Sequence, residues 1–222
     1  MPRALVVTGG TQVDIDRVRV LTNRARGRLG VAIGNALQER EVQTVVLAAE
    51  DVAGHPELFH PGVQVVSFRT YFDLARELDR LIGDAPPDLV FMPAAISDYA
   101  PVPVEGKVRS DMEEITLTLR RLPKILGTLR DRCGEATFIV GFKLLVGVSD
   151  EELVATARAQ NRSCRIDLTV ANDDTVLRRP ENVGRHVAFL VPPEGDALAL
   201  DERKADFAKR LVDFCVGRQA RL

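Results

Sequence analysis

Short apolar runs rich in β-branched residues alternate along this chain with longer segments whose apolar residues recur at helical spacing. "ALVVT" (residues 4–8), "TVVLAA" (44–49), "VQVVSF" (63–68), "DLVFMPAA" (88–95) and "TFIVGF" (137–142) have the near-continuous hydrophobicity of strands buried on both faces. "LTV" (168–170) and "HVAFLV" (186–191) add two more. Residues 28–40, 71–83, 124–132, 150–161 and 202–217 carry a helical period, and Ser149 followed by Glu152 forms a capping box at the start of the fourth. Parallel strands need crossover connections. The alternation therefore predicts an α/β fold: a doubly wound, mainly parallel, Rossmann-like sheet with helices on both faces. At 222 residues a single domain, 1–222, is long enough to bury its own core.

In such a sheet ligands bind beyond the carboxyl ends of the strands, and every unusual segment here follows a strand. After the first strand, Thr8-Gly9-Gly10-Thr11 can bring backbone N–H groups close to a ligand, although it lacks the G-x-G-x-x-G spacing of a dinucleotide fingerprint. The chain does not then enter a helix. Polar and branched residues fill the sequence up to residue 28. At the end of this detour Arg24, Arg26 and Arg28 cluster with Gly27 and Gly30 at a helix start, a combination suited to an anionic phosphate and, more plainly, to a solvated basic turn. Arg19 and Asn23 lie four apart, the spacing at which one turn of helix presents both to one ligand.

After the fourth strand, Ser97-Asp98-Tyr99 leads into an arm stiffened by Pro101 and Pro103 and ending in Lys107-Val108-Arg109. Alternation places Lys107 and Arg109 on one face of an extended strand, and "ITLTLRR" (115–121) is predicted to pair with the arm as an antiparallel ribbon over the site. Taken alone, Lys107 is equally a charge that keeps an edge strand from aggregating. Asp98 suits a ribose hydroxyl, a Mg²⁺ ion or a turn cap, and Asn172-Asp173-Asp174 shares that ambiguity. The three histidines fit no catalytic or metal-binding spacing.

Several classes are disfavoured. Thirty basic residues face 32 acidic ones, so there is no general basic field for nucleic acid. Cys133, Cys164 and Cys215 are odd in number, far apart and without a CxxC pair, which points away from disulfides and zinc and toward a reducing compartment. The first apolar run is too short for a signal or spanning segment, so no membrane association and a cytoplasmic location are expected. A short-chain dehydrogenase needs Tyr-x-x-x-Lys, whereas Tyr71 and Tyr99 are followed four residues on by Ala75 and Pro103. A non-catalytic binder of a phosphorylated ligand remains an alternative.

In chain order these pieces resemble phosphopantothenoylcysteine synthetase, the ligase domain of the bacterial DNA/pantothenate metabolism flavoproteins. The resemblance rests on Gly9-Gly10-Thr11, Asp16-Arg17-Val18-Arg19, Asn23, Gly27-Arg28-Leu29-Gly30, Ala94-Ala95-Ile96-Ser97-Asp98-Tyr99, Lys107-Val108-Arg109, Gly141-Phe142-Lys143 and Ala171-Asn172-Asp173, and covers nearly the whole chain. It implies a coenzyme A biosynthesis ligase. Such an enzyme joins 4′-phosphopantothenate to cysteine with CTP or ATP and Mg²⁺, through an acyl-nucleotidylate and with release of pyrophosphate. By resemblance Asn23 holds the acyl-nucleotidylate, Arg19 supports that loop or the substrate, and Lys107 neutralises charge during activation. Gly9, Gly10, Thr11, Arg26 and the Gly27 turn fall to the phosphates, and Ala94, Ala95, Asp98, Phe142 and Lys143 to the nucleotide. The family further implies a homodimer in which residues 101–121 close the partner's site, and no FMN, since the flavin-binding half is a separate unit. The chain departs from the family at Ala25-Arg26, where two serines are usual, at Leu144-Leu145-Val146, where a Glu-Thr pair is usual, and at Arg109-Ser110 in place of two lysines.

Overall fold

A computed structural model describes residues 1–83, 85–102, 106–108, 111 and 113–219. Arg109 and Pro103 of the arm lie outside the described residues. The chain opens with β1 (Arg3–Thr8), a small hairpin of β2 (Gln12–Asp14) and β3 (Val20–Thr22), and then α1 (Arg28–Glu39). β4 (Gln43–Ala49), α2 (Glu50–Ala53), β5 (Gln64–Phe68), α3 (Tyr71–Ile82) and β6 (Leu89–Phe91) follow. β7 (Tyr99–Pro101) and β8 (Leu119–Arg121) form an antiparallel ribbon, after which come α4 (Leu129–Cys133), β9 (Phe138–Leu145) and α5 (Asp150–Cys164). The chain ends with β10 (Leu168–Asp173), α6 (Asp174–Leu177), β11 (Arg185–Val191), β12 (Leu198–Arg203) and α7 (Lys204–Gln219).

Eight strands make one sheet in the order β12-β11-β10-β9-β6-β1-β4-β5. The six strands from β10 to β5 are parallel, and β11 and β12 extend the β10 edge antiparallel. Val6, Val46, Val90, Ile139, Val140 and Val170 are inaccessible to solvent, as strands covered on both faces require. α1 and α7 pack side by side, while Arg132–Asp79 and Arg165–Asp131 ion pairs tie α4 to α3 and to the end of α5. Right-handed crossovers place these two sets on opposite faces. α1 lies very close to the sheet: a Cβ on Gly30 would fall 2.2 Å from the Thr8 hydroxyl oxygen, and one on Gly34 2.7 Å from Val46 Cγ2.

Two expected helices are corrected. Residues 124–132 do not form one helix but a 3₁₀ turn, Leu126–Thr128, followed by the five-residue α4, because Gly127 weakens the first turn and Gly134 ends the second at φ 76°. Instead of starting at residue 202, α7 begins at Lys204, since Glu202 and Arg203 complete β12. β12 itself gives little sequence signal, with only Leu200 buried on an edge strand.

Candidate functional site

The strand order reverses at β1, whose neighbours β4 and β6 belong to opposite windings, so the crevice beyond β1 and β6 is the topological switch point. Backbone hydrogen bonds stitch it together. Ala95 N–H donates to the Gly9 carbonyl at 2.9 Å and Thr11 N–H to the Ala95 carbonyl at 3.3 Å. Gly9 holds φ 91°, and a Cβ there would meet Ala49 Cβ at 2.5 Å, so the residue is glycine for packing and conformation as well as for access. Thr11 is fully buried, and its hydroxyl accepts from Ser97 N–H and donates to Ser97 Oγ, both at 2.9 Å. Its role is to hold the two strand-end loops together.

The detour is a hairpin. Its base is fastened to the end of β5, where Gln12 N–H donates to the Arg69 carbonyl at 2.9 Å and Arg69 Nη2 to Asp14 Oδ1 at 2.8 Å. Its returning limb passes over Gly10, where a Cβ would lie 3.2 Å from the Asn23 carbonyl oxygen. The exposed Asn23 side chain is thereby set on the switch point, its Nδ2 donating to the Ala95 carbonyl at 3.2 Å. The expectation that Arg19 and Asn23 share one helical turn is corrected: the residues between them include β3, which is extended. Arg19 and Asn23 flank its three residues, so four steps of extended chain, up to about 13 Å, separate the two Cα atoms.

From Asn23 the chain turns through Gly27, at φ 64°, into α1. The first turn of α1 has no side-chain cap and no acidic residue. Arg24, Arg26 and Arg28 stand exposed around it, without a carboxylate partner among the described residues. Free N–H groups, the positive end of the helix dipole and three guanidiniums give this spot the chemistry of an anion site.

At the far end of the hairpin Arg19 is held by other groups. Its Nη1 donates to Asp16 Oδ2 at 2.7 Å and to the Val108 carbonyl at 3.2 Å. Asp16, whose side chain is fully enclosed, also accepts N–H bonds from Val18, Arg19 and Val108 at 2.8, 2.7 and 2.9 Å. These donors, the Val18 N–H foremost, hold its carboxyl at about 2, below the usual 3.8, against the opposing effect of burial. Exposed Lys107, between Gly106 and Val108, is therefore carried by a segment fastened to the hairpin turn.

Ala94 and Ala95 are half-buried in the crevice wall and Asp98 is exposed on its rim, its carbonyl accepting from Leu122 N–H at 2.8 Å. Phe142 and Lys143 are half-buried on β9, two strands from β1. Within Asn172-Asp173-Asp174, Asp173 has a local job: it caps α6 by accepting from Thr175 and Val176 N–H groups and holds Val148 N–H at 3.0 Å. Among the described residues no three His, Cys, Asp or Glu side chains gather to hold a metal. A cleft of about 390 Å³ opens between the hairpin, the start of α3 and the ribbon; Val13, Tyr71, Phe72, Pro101 and Val102 make its lining mainly apolar, with Arg120 as its one cationic side chain, against three guanidiniums around the start of α1. Sequence reasoning missed the tethering roles of Asp16, Arg69 and Ser97; the Asp16/Arg19 spacing of three was the one visible signal for them.

Three kinds of similarity bear on this site. Residues 2–217 match the family described as DNA/pantothenate metabolism flavoprotein C-terminal domain. The chain is 32% identical over 171 residues to the coenzyme A biosynthesis bifunctional protein CoaBC of Methanocaldococcus jannaschii, covering 77% of this chain and 40% of that protein. It is 33% identical to CoaBC of Mycobacterium bovis, covering 96% of this chain and 52% of that one. The chain thus spans about half the length of the curated relatives it matches. Its fold is that of the DNA/pantothenate metabolism flavoprotein from Streptococcus pneumoniae, with a TM-score of 0.84 at 24% identity over 98% of this chain and all of that one. A histidine-to-alanine mutant of Cab2, solved in complex with phosphopantothenate-cysteine, superposes with a TM-score of 0.77 at 18% identity, covering 99% of this chain and 87% of that one.

Proposed function

The chain belongs to the DNA/pantothenate metabolism flavoprotein C-terminal domain family, and from that premise we propose that it is a phosphopantothenate–cysteine ligase of coenzyme A biosynthesis. The observation that carries this reading is the union, at one switch point, of the Asn23 amide over the Ala95 carbonyl with an uncapped α1 start ringed by Arg24, Arg26 and Arg28. That pairing suits a substrate that is an acyl group on one side and a nucleotide phosphate on the other.

In the proposed reaction a carboxylate oxygen of 4′-phosphopantothenate attacks the α-phosphorus of CTP or ATP, and the bond to pyrophosphate breaks. The amine of cysteine then attacks the acyl carbon, expels the nucleoside monophosphate and loses a proton. Charge grows on phosphate oxygens in both steps, so fixed cations and N–H donors should supply most of the rate. The α1 N-terminus and Arg26 hold phosphates, with Arg26 standing where the family has a serine. Gly9 and Gly10 allow close approach, Ala94, Ala95, Asp98, Phe142 and Lys143 bound the nucleotide, and Asn23 donates to the acyl phosphate. Mg²⁺ would arrive on the phosphate oxygens, which suits a hard ion that keeps several waters.

Lys107 neutralises the activation step. Its segment is anchored at Asp16 and Arg19, up to about 13 Å of extended chain from Asn23, a spacing that suits a homodimer in which one copy's Lys107 segment serves the other's Asn23. Exposed Val18, Val20 and Leu21 on the hairpin, with Leu117 and Leu119 on the ribbon side, offer apolar surface for that contact. The test is pyrophosphate release on mixing the protein with 4′-phosphopantothenate, cysteine, Mg²⁺ and either CTP or ATP. Release with one of the two nucleotides is expected. A folded sample inactive with both would favour a non-catalytic phosphate binder.

A further inference from the structure

We infer that Asp16 is a positioning residue: its carboxylate is the joint that fastens the Lys107 segment to the hairpin carrying Arg19, so that the two move as one unit. All four of its acceptor directions are taken. Oδ1 receives Val18 and Arg19 N–H groups at 2.8 and 2.7 Å, and Oδ2 receives Arg19 Nη1 and Val108 N–H at 2.7 and 2.9 Å. Both residues flanking Lys107 are thereby tied to the hairpin turn, Gly106 through its carbonyl to Arg17 N–H at 3.1 Å and Val108 through both its N–H and its carbonyl. Lys107 itself is exposed and unencumbered among these contacts.

A flexible lysine on a loosely held segment would have to be ordered anew for every turnover, and that cost falls on the chemical step. Anchoring the backbone on either side removes most of it while leaving the ammonium free. Only a carboxylate can do this here, because every partner is a donor. An amide at this position would turn two N–H donors toward N–H donors. The inference rests on the ligase reading for what Lys107 does, but the joint can be tested without it.

The experiment compares wild type, Asp16→Asn, Lys107→Gln and the double variant in the full chain, with far-UV circular dichroism to establish folding. Trypsin cleavage after Lys107, followed by mass spectrometry, reads the joint. Loss of this charge-assisted hub should raise the cleavage rate of Asp16→Asn by about tenfold or more, because cleavage follows the open population. In pyrophosphate release, kcat of Asp16→Asn should fall by about a hundredfold while KM for the nucleotide stays within about twofold, and the double variant should be no worse than Lys107→Gln alone. Unchanged cleavage, unchanged kcat, or additive losses in the double variant would overturn the inference. Should Asp16→Asn not fold, Arg19→Gln removes one leg of the joint and should still speed cleavage several-fold. A wild type that releases no pyrophosphate sinks the ligase reading, and the cleavage rates still decide the joint.

Discussion

Asn23 donates its side-chain amide to the carbonyl of Ala95 at 3.2 Å, a contact between residues 72 apart in the chain. It brings the return of the first-strand detour onto the loop that follows the fourth strand of the parallel winding, and Thr11 and Ser97 reinforce the meeting a few ångströms away.

Asn23→Asp should keep the fold and lose the reaction. The substituted carboxylate would face both the Ala95 carbonyl oxygen and an acyl phosphate, and like charge against a developing anion costs more than the lost hydrogen bond. Amide formation is expected to fall by at least about a hundredfold with the melting temperature little changed, since the side chain is exposed. Steady-state kinetics beside a thermal melt check both halves.

Gly30→Ala should destabilise the chain even though alanine is the better helix former by about 1 kcal/mol. The new Cβ would lie 2.2 Å from Thr8 Oγ1, which is itself pinned by donating to the Gly27 carbonyl at 2.9 Å. Overpacking of this kind costs about 1–3 kcal/mol and should outweigh the propensity gain. Gly217→Ala in α7, where a Cβ meets nothing within 4 Å, should instead stabilise by about 0.5–1 kcal/mol. Urea titrations of the two variants with opposite signs are the expected result.

His186 should make the fold sensitive to mild acid. It is buried against the edge of Phe207, its Nε2 has no partner, and burial, helped by the charge of Lys204, holds its pKa at about 4. An unfolded histidine titrates near 6.5, so between those values the unfolded chain binds the extra proton. Stability is then fully present above about pH 6.5 and falls, by on the order of 3 kcal/mol, as pH drops toward 4. His186→Leu should flatten that slope, measurable as urea midpoints from pH 7 to 4.

Much of the architecture is legible in the sequence because parallel strands covered on both faces are nearly continuous apolar runs; β1, β4, β5, β9 and β11 stand close to where their hydrophobicity places them. What was not legible is held by hydrogen bonds and not by burial. β3 is wholly exposed and only three residues long, so no periodicity marks it. A spacing of four is shared by one turn of helix and one face of a strand, which is why Arg19 and Asn23 suggested a helical turn. The convergence of loops at the strand ends follows from the fold class, whereas the docking of the Lys107 segment on the hairpin turn depends on the Asp16 joint, a contact 92 residues long that no local pattern encodes.

The most direct test of an acyl phosphate formed over Asn23 uses 4′-phosphopantothenate labelled with oxygen-18 in its carboxylate. Attack on the α-phosphorus followed by displacement by cysteine leaves one labelled oxygen in the nucleoside monophosphate and none in pyrophosphate, and mass spectrometry of the products should show that distribution. Label appearing in orthophosphate, with a nucleoside diphosphate as the other product, or absent from every phosphate, would contradict it.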